Sequence, residues 1–199
     1  SATVREALRR PRVQWLLAIY LVCGFQDFFI ATHIVAYALD TGVESALAGH
    51  MLAFMGLVGL AGVLATGWFN DRVGPLGPTA VCFVLRIGLF AALLSSDSHI
   101  VVIVSALVYG GTFWITAPLT VVFTRQLVGT QLLGTMSGII TMTHHAAGGV
   151  GAIIGALMFD SQGNYTNALW LSLVLSVLAL AMCLPLRASR TDSATCVGN

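Results

Sequence analysis

Six long apolar runs, joined by short polar connections, constrain the fold of this chain more than any other feature. A helix needs about 20 apolar residues to cross the hydrocarbon core of a bilayer, and each run has or approaches that length. Strands of a membrane barrel would show about ten residues of alternating polarity, a pattern that is absent from this sequence. We therefore predict an all-α membrane protein, with spans at about residues 13–38, 44–69, 78–95, 100–124, 131–159 and 165–186.

The composition agrees with a protein that faces lipid. Only 9% of the 199 residues are charged and the mean hydropathy is +0.91, whereas about a quarter of the residues in a soluble domain are charged. All nine basic residues are Arg and lie scattered between apolar runs, which excludes a nucleic-acid-binding surface. The four Cys residues lack C-x-x-C and His-paired spacing, so no disulfide, metal site or other cofactor is expected.

The arginines also orient the spans. Eight of the nine precede span one or follow spans two, four and six, while the other connections carry acidic residues and no Arg. The positive-inside rule places the Arg-rich side, with both termini, in the cytoplasm. The predicted organisation is a cytoplasmic linker over residues 1–12, a six-helix bundle over 13–187 and a cytoplasmic tail over 188–199. The chain begins without Met and with an Arg-rich segment, which is more typical of a linker within a twelve-helix protein than of a signal peptide.

Spans two and five end in similar ways. Residues 59–74 read GLAGVLATGWFNDRVG and residues 148–163 read GGVGAIIGALMFDSQG. Both segments are rich in glycines whose spacing permits close approach of helices, and both finish with Asp-x-x-Gly. Because these spans would cross the membrane in opposite directions, the similarity predicts a three-plus-three inverted repeat.

The connection after span two carries a motif of four residues, Gly67, Asp71, Arg72 and Gly74. Their spacing resembles the G-x-x-x-D-R-x-G signature of the major facilitator superfamily. The strings LRIG in span three and GGTFWITAPLT in span four are similar to bacterial members near the monocarboxylate-porter branch. The resemblance implies the C-terminal six-helix half of a secondary transporter, which acts with a homologous N-terminal half in the same chain or a separate one.

Two departures from the family pattern bear on function. Pro75 and Leu76 stand where basic residues usually follow the motif, and no charged residue lies between Glu44 and Asp71, where monocarboxylate porters carry an acidic–basic pair. The superfamily is therefore more clearly indicated than the substrate, for which the first expectation is a small organic anion.

Ionisable side chains inside the spans are functional candidates because each costs about 2.5–3.5 kcal/mol to insert. The candidate substrate and proton pathway consists of Asp27, His33, Arg86, His144 and His145. Asp27 and Arg86 could form an ion pair that breaks and re-forms; alternatively, Arg86 reaches the cytoplasmic face or caps carbonyls near Asp71. His33 lies in the outer third of span one and is as well explained by packing.

The two adjacent histidines in span five leave open which of them faces a central cavity. Adjacent residues of a helix point about 100° apart, so at most one of His144 and His145 is expected to face a central cavity directly. Imidazole suits proton coupling or a hydrogen bond to an anion. A metal-binding pair on a helix would have i,i+4 spacing instead.

Two further sets of residues are expected to take part in conformational change of the transporter. The gating motif (Gly67, Asp71, Arg72 and Gly74) is expected to close the inner gate, because Asp71 lies at the unfavourable end of its own helix dipole and needs a partner across the face. The alternative is a solvated turn. A bend is expected in span four at Gly110, Gly111 and Pro118. Trp114 in this span is interpreted as a packing residue.

The predicted function is a secondary transporter in the plasma (bacterial inner) membrane that symports protons with its substrate by alternating access. The alternative is a membrane-embedded enzyme or a channel that acts without a partner bundle. The sequence lacks the G-x-S-G of a rhomboid, the H-E-x-x-H of a zinc protease and the N-P-A motifs of an aquaporin. We therefore do not expect an enzyme.

Overall fold

The computed structural model describes the backbone of residues 3–195 and the side chains of residues 3–187, and these residues form helices without strands. Six helical segments are long and apolar enough to cross a membrane, as the sequence predicts. The fourth of these segments consists of two helices, and a short helix precedes the first. The helices are α1 Val4–Arg9, α2 Pro11–Asp40, α3 Ser45–Val73, α4 Leu76–Ser95, α5 His99–Phe113, α6 Thr116–Val128, α7 Leu133–Gln162 and α8 Thr166–Thr195.

Three helix pairs account for most of the packing: α2 with α7, α3 with α5, and α4 with α8. Under the predicted inverted repeat, spans one, two and three exchange with spans four, five and six. Span one (α2) then corresponds to span four (α5 and α6), span two (α3) to span five (α7), and span three (α4) to span six (α8). The α2–α7 pair therefore corresponds to the α5–α3 pair, and the α4–α8 pair corresponds to itself. The pairing agrees with the repeat, which remains a prediction, as does the cytoplasmic side of both termini.

Glycines set the closest helix approaches. A Cβ atom on Gly24 of α2 would overlap the carbonyl group of His144, and one on Gly151 of α7 would overlap the carbonyl group of Phe25. The α3–α5 pair has the same arrangement, because a Cβ atom on Gly62 would overlap the carbonyl group of Gly111. Backbones can approach this closely only where both helices present small residues.

Span four is broken between Phe113 and Thr116. Pro118 lies in the first turn of α6, and a proline ring clashes with the carbonyl group four residues earlier, here that of Trp114. The predicted bend therefore falls just before the proline. Gly110 instead lies within α5, where a Cβ atom would meet the backbone of Met55 at 2.6 Å, so its role in the structure is close packing against α3.

The predicted linker is partly folded. Thr3 and Glu6 form a capping box at the start of α1, and the side chain of Arg10 donates to the carbonyl oxygen of Leu127 at 2.8 Å. These contacts hold the segment against one end of the bundle, the end that the predicted orientation places in the cytoplasm. In the predicted tail, the backbone of α8 continues to Thr195, while residues 1–2 and 196–199, and all side chains beyond Arg187, lie outside the described residues.

The interior has two apolar layers. One cluster contains Phe29, Ile34 and Phe90 toward the acidic end, and the other contains Leu16, Ile19 and Phe83 toward the Arg-rich end. Fully buried polar side chains of α2 and α4 lie between the two layers, near the middle of the spans. This polar layer positions the candidate site.

Candidate functional site

A buried ion pair stands at the centre of the polar layer. Nη2 of Arg86 lies 2.6 Å from Oδ1 of Asp27, and both residues have no exposed surface. The two side chains come from α2 and α4, which the sequence places at different depths, and the length of the arginine closes that gap. Of the alternatives that the sequence leaves open, the structure contains the Asp27–Arg86 pair.

Arg86 has no free donor. Its guanidinium has five N–H groups, and five contacts fill them: Nε donates to Oγ1 of Thr112 at 3.3 Å, Nη1 to Oε1 of Gln26 at 3.2 Å and to Sγ of Cys23 at 3.4 Å, and Nη2 to Asp27 and to the carbonyl oxygen of Thr112 at 3.2 Å. A guanidinium that is saturated and buried in this way has no N–H group left for a substrate.

One of these contacts reaches the break in span four. Thr112 is the last residue but one of α5, where backbone carbonyls lack partners within the helix. The positive guanidinium of Arg86 therefore caps the negative end of the α5 dipole. One alternative from the sequence is that Arg86 caps carbonyls near Asp71; the capped carbonyl belongs to α5 instead.

Asp27 accepts from four groups. Its Oδ1 also accepts from the hydroxyl of Tyr109 at 2.8 Å. Its Oδ2 accepts from Nε2 of His144 at 3.0 Å and lies 3.6 Å from Sγ of Cys23. The site residues predicted from the sequence do not include Tyr109, nor Gln26 and Thr112 around Arg86. A phenol and an amide inside apolar runs were the available signals, but neutral polar groups in spans are too common to single out.

A cavity of about 420 Å³ opens beside this network. Its walls include Tyr20, Asp27, Phe28, Trp114, His144 and His145. The carboxylate of Asp27 is 1% exposed, whereas the side chain of His144 is 11% exposed. His144 is therefore the histidine that both contacts the buried ion pair and lines the cavity.

His145 also lines the cavity, but it does not contact the ion pair. Its Nδ1–H donates to the carbonyl oxygen of Thr141 at 2.8 Å, and its ring lies 5.5 Å from that of Phe28. Both histidines therefore line this cavity, whereas the sequence predicts that at most one of them faces a central cavity directly.

His33 lies apart from the cavity. Its Nε2–H donates to the carbonyl oxygen of Ala152 at 2.9 Å, and its Nδ1 lies 3.2 Å from the hydroxyl of Tyr165. These bonds join α2 to α7 and to the start of α8, which is a packing role.

The donor atoms of Cys23, Asp27 and His144 lie within 4.8 Å of one another, a spacing that a metal ion could bridge. Arg86 contacts two of the three residues. A metal ion would have to displace or tolerate that positive charge, so these residues fit a charge network better than a metal site.

Comparison with known proteins places the chain in a family. The sequence matches the family described as "Uncharacterised MFS-type transporter YbfB" over residues 2–187. The chain belongs to the major facilitator superfamily. Monocarboxylate transporter 13 of Rattus norvegicus is 28% identical over 159 residues, which cover 78% of this chain and 37% of the relative. The uncharacterized MFS-type transporter YcxA of Bacillus subtilis (strain 168) is 29% identical over 154 residues, or 72% of this chain and 36% of the relative.

This superfamily chain spans a little over a third of the length of these relatives. Its six spans make it a multi-pass membrane protein. The matched proteins are named as transporters, so the alternative of a membrane-embedded enzyme is set aside.

The superfamily motif lies at the end of α3. Gly74 adopts a positive φ of 80° and ends the helix, with its N–H donating to Asn70 at 2.8 Å. Arg72 stacks on the ring of Trp68 at 3.6 Å. Asp71 is exposed, and among the described side chains it has one contact, with the amide of Asn70 at 3.5 Å. A Cβ atom on Gly67 would meet nothing within 4 Å, so this glycine leaves room for a neighbour.

Proposed function

We propose that this chain forms the C-terminal six-helix half of a secondary transporter of the plasma (bacterial inner) membrane, and that a homologous half completes it. Superfamily membership supports the proposal, as does a cavity that opens on one face of the bundle. Spans α3 and α7 are the least buried, with 22% of their most apolar segments inside the bundle. A partner bundle against these exposed spans would cover the cavity wall that α7 forms, and rocking of one bundle against the other would alternate access to the cavity.

The observation that carries the proposed mechanism is the contact of His144 with the buried ion pair. A carboxylate only accepts hydrogen bonds, so Nε2 of His144 carries the proton that it shares with Asp27. In the neutral ring, Nδ1 is then an acceptor and has nothing to offer an anion. A second proton converts Nδ1 into a charged donor, so an anion gains a partner at His144 only after protonation.

The charges of the site favour symport of a proton with an anion. Asp27 and Arg86 cancel each other, so the site is uncharged while His144 is neutral and carries one positive charge when His144 is protonated. An anionic substrate that binds the protonated site restores neutrality, which lowers the cost of moving both through a low-dielectric region. Proton and anion would therefore travel together, with His144 as the proton carrier.

The substrate contact that the sequence suggested for Arg86 is replaced by this scheme. All five donors of Arg86 are already engaged, so it acts as the counter-charge of Asp27. A carboxylate is the anion best supported for this site, because relatives are named monocarboxylate transporters.

His144→Gln tests the mechanism. Glutamine can donate to Asp27 but cannot take up a proton, so the charge-assisted bond to the anion, worth about 1.5–3 kcal/mol, is lost. Uptake of lactate into proteoliposomes, driven by an inward pH gradient, should fall about ten- to hundredfold, with a matching loss of proton entry reported by an internal pH dye.

The matched control is His145→Gln, on the same helix and the same cavity wall but without contact to Asp27. It should retain proton-coupled uptake to within about threefold. Full proton-coupled uptake in His144→Gln would contradict the mechanism, and so would a loss of equal size in both variants.

Asp71 is proposed to hold the inner gate closed through a partner on the other bundle. It is exposed and contacts only Asn70 among the described side chains, so its replacement should not affect folding. Asp71→Asn should slow uptake about fivefold and leave the thermal unfolding temperature unchanged. Asp97→Asn, an exposed change at the other end of the bundle, is the control. Wild-type uptake in Asp71→Asn would favour a solvated turn.

A further inference from the structure

The cavity beside His144 has an aromatic wall that the proton-coupling scheme does not use. Phe28, Phe113 and Trp114 line it together with Tyr20. The ring centroids of Phe113 and Trp114 lie 5.2 Å apart, and the two ring planes are inclined at 63° to each other. Apart from the few groups near the two histidines, most of the accessible lining of this cavity is apolar.

Trp114 is the most exposed member of this wall. Its position in span four predicts a packing residue, but 52% of its surface is exposed. Trp114 stands in the break between α5 and α6, where the chain leaves helical geometry, and the break turns the ring out of the helix packing and into the cavity. Another edge of the indole rests on Gly59 of α3, where a Cβ atom would lie 2.8 Å away. The ring is therefore held in place on one side and free on the other.

His144, which meets the anion in the proposed function, lies beside the same rings. Phe28 packs edge to face with both histidines, at 6.3 Å from His144 and 5.5 Å from His145. Tyr20 contributes mainly its ring, because its hydroxyl already donates to the carbonyl oxygen of Thr116 and accepts from Thr120. The cavity therefore combines one short polar region with a larger aromatic region.

From this arrangement we infer that the substrate is a monocarboxylate with an aromatic body, whose carboxylate meets His144 and whose ring stacks against Phe28, Phe113 and Trp114. This inference rests on the proposed function and adds the substrate class. A volume of about 420 Å³ lies in the range of about 300–1,000 Å³ that organic ligands occupy. A three-carbon acid would leave most of it to water against apolar walls, whereas an aryl ring would cover them.

Phenyllactate and lactate provide the direct test, because they share the hydroxy-acid group and differ by the ring. The native transporter is reconstituted in vesicles, and protein-free vesicles supply the passive background. Phenyllactate should compete for uptake at about tenfold lower concentration than lactate, and it should carry protons inward. Hexahydrophenyllactate, with a saturated ring, should compete less well than phenyllactate, and phenylethanol, which lacks the carboxylate, should not compete.

Trp114→Leu tests whether the aromatic wall of the cavity causes the preference for phenyllactate over lactate. This variant should lose most of the tenfold preference while still coupling lactate to protons, and Trp114→Phe, with a smaller ring, should keep only part of the preference. The matched control is Trp170→Leu, a tryptophan that is 53% exposed but does not line this cavity; it should keep the preference. If Trp114→Leu fails to fold, Trp114→Phe with its smaller ring still tests the contact through a reduced preference.

The outcomes separate the two proposals. Proton entry with lactate, but neither entry nor competition with phenyllactate, would overturn the aromatic substrate and leave the proposed function standing. Equal competition by the two acids, or a preference that Trp114→Leu does not change, would also overturn it. No proton entry with any carboxylate would refute the proposed function and this inference with it.

Discussion

Replacing Arg86 by Met is expected to lower the free energy of unfolding by about 3–5 kcal/mol, because it breaks a buried ion pair. The change leaves the carboxylate of Asp27 buried and without its counter-charge. It also removes the donor that caps the carbonyl oxygen of Thr112 at the end of α5. Thermal and denaturant unfolding of the purified protein in detergent, followed by circular dichroism, would measure the loss.

A double-mutant cycle separates the ion pair from the packing of the arginine stem. Asp27→Asn alone should also destabilise, because it leaves the guanidinium uncompensated. The double variant Asp27→Asn/Arg86→Met contains no unpaired charge and should be more stable than either single variant, which gives a coupling energy of about 2–3 kcal/mol between the two sites. The double variant should show no proton-coupled uptake, since His144 then has no carboxylate partner.

Additive losses in the double variant would contradict this interpretation. They would mean that Arg86 stabilises α5 through Thr112 and packing alone, independently of Asp27. Arg86→Lys adds a useful comparison: the ammonium keeps the charge but cannot reproduce five donors in a planar fork. It should recover part of the stability that Arg86→Met loses.

The fold was largely predictable from the sequence because one physical requirement dominates it. In lipid, the backbone N–H and C=O groups of every span must form hydrogen bonds within the span itself. The length of each apolar run therefore predicts the six spans and their helical state. The same cost of burial singles out Asp27, Arg86 and His144 as candidates before their contacts are known. Their meeting at one point depends on helix tilt and side-chain reach, which single-sequence patterns do not contain.

The missed residues of the site are neutral. Tyr109, Gln26 and Thr112 engage the ion pair through hydrogen bonds, but neutral polar residues are common in spans and carry no distinctive spacing. The bend in span four could likewise be located only approximately from the sequence. Gly110 and Pro118 both suggested a bend, and only packing against α3 reveals that the glycine serves close approach instead.

Glycine spacing raises the expectation of close helix contact, but the structure is needed to say which glycines touch a neighbour. In α7, a Cβ atom on Gly151 would overlap the carbonyl group of Phe25, whereas one on Gly149, two residues earlier, would meet nothing within 4 Å. Both residues belong to the same Gly-rich string and look equivalent in the sequence. They should respond to substitution in opposite ways.

Gly151→Ala is expected to cost at least about 1–3 kcal/mol of unfolding free energy, the range for overpacking a well-packed interior. Backbone atoms cannot rotate away as a side chain can, so α7 must move from α2 to make room. Gly149→Ala should be neutral or slightly stabilising, because alanine favours the helix and nothing obstructs its methyl group. Thermal unfolding of the two variants in detergent measures the difference directly.

Movement of α7 should also affect function, because the same helix carries His144. The bond from His144 to Asp27 is 3.0 Å long, and a shift of about one ångström would break it as a hydrogen bond. Gly151→Ala should therefore lose proton-coupled uptake as well as stability, whereas Gly149→Ala keeps both. A Gly151→Ala variant with full stability and unchanged uptake would mean that α2 and α7 are not in close contact in the membrane, and the site built between them would have to be revised.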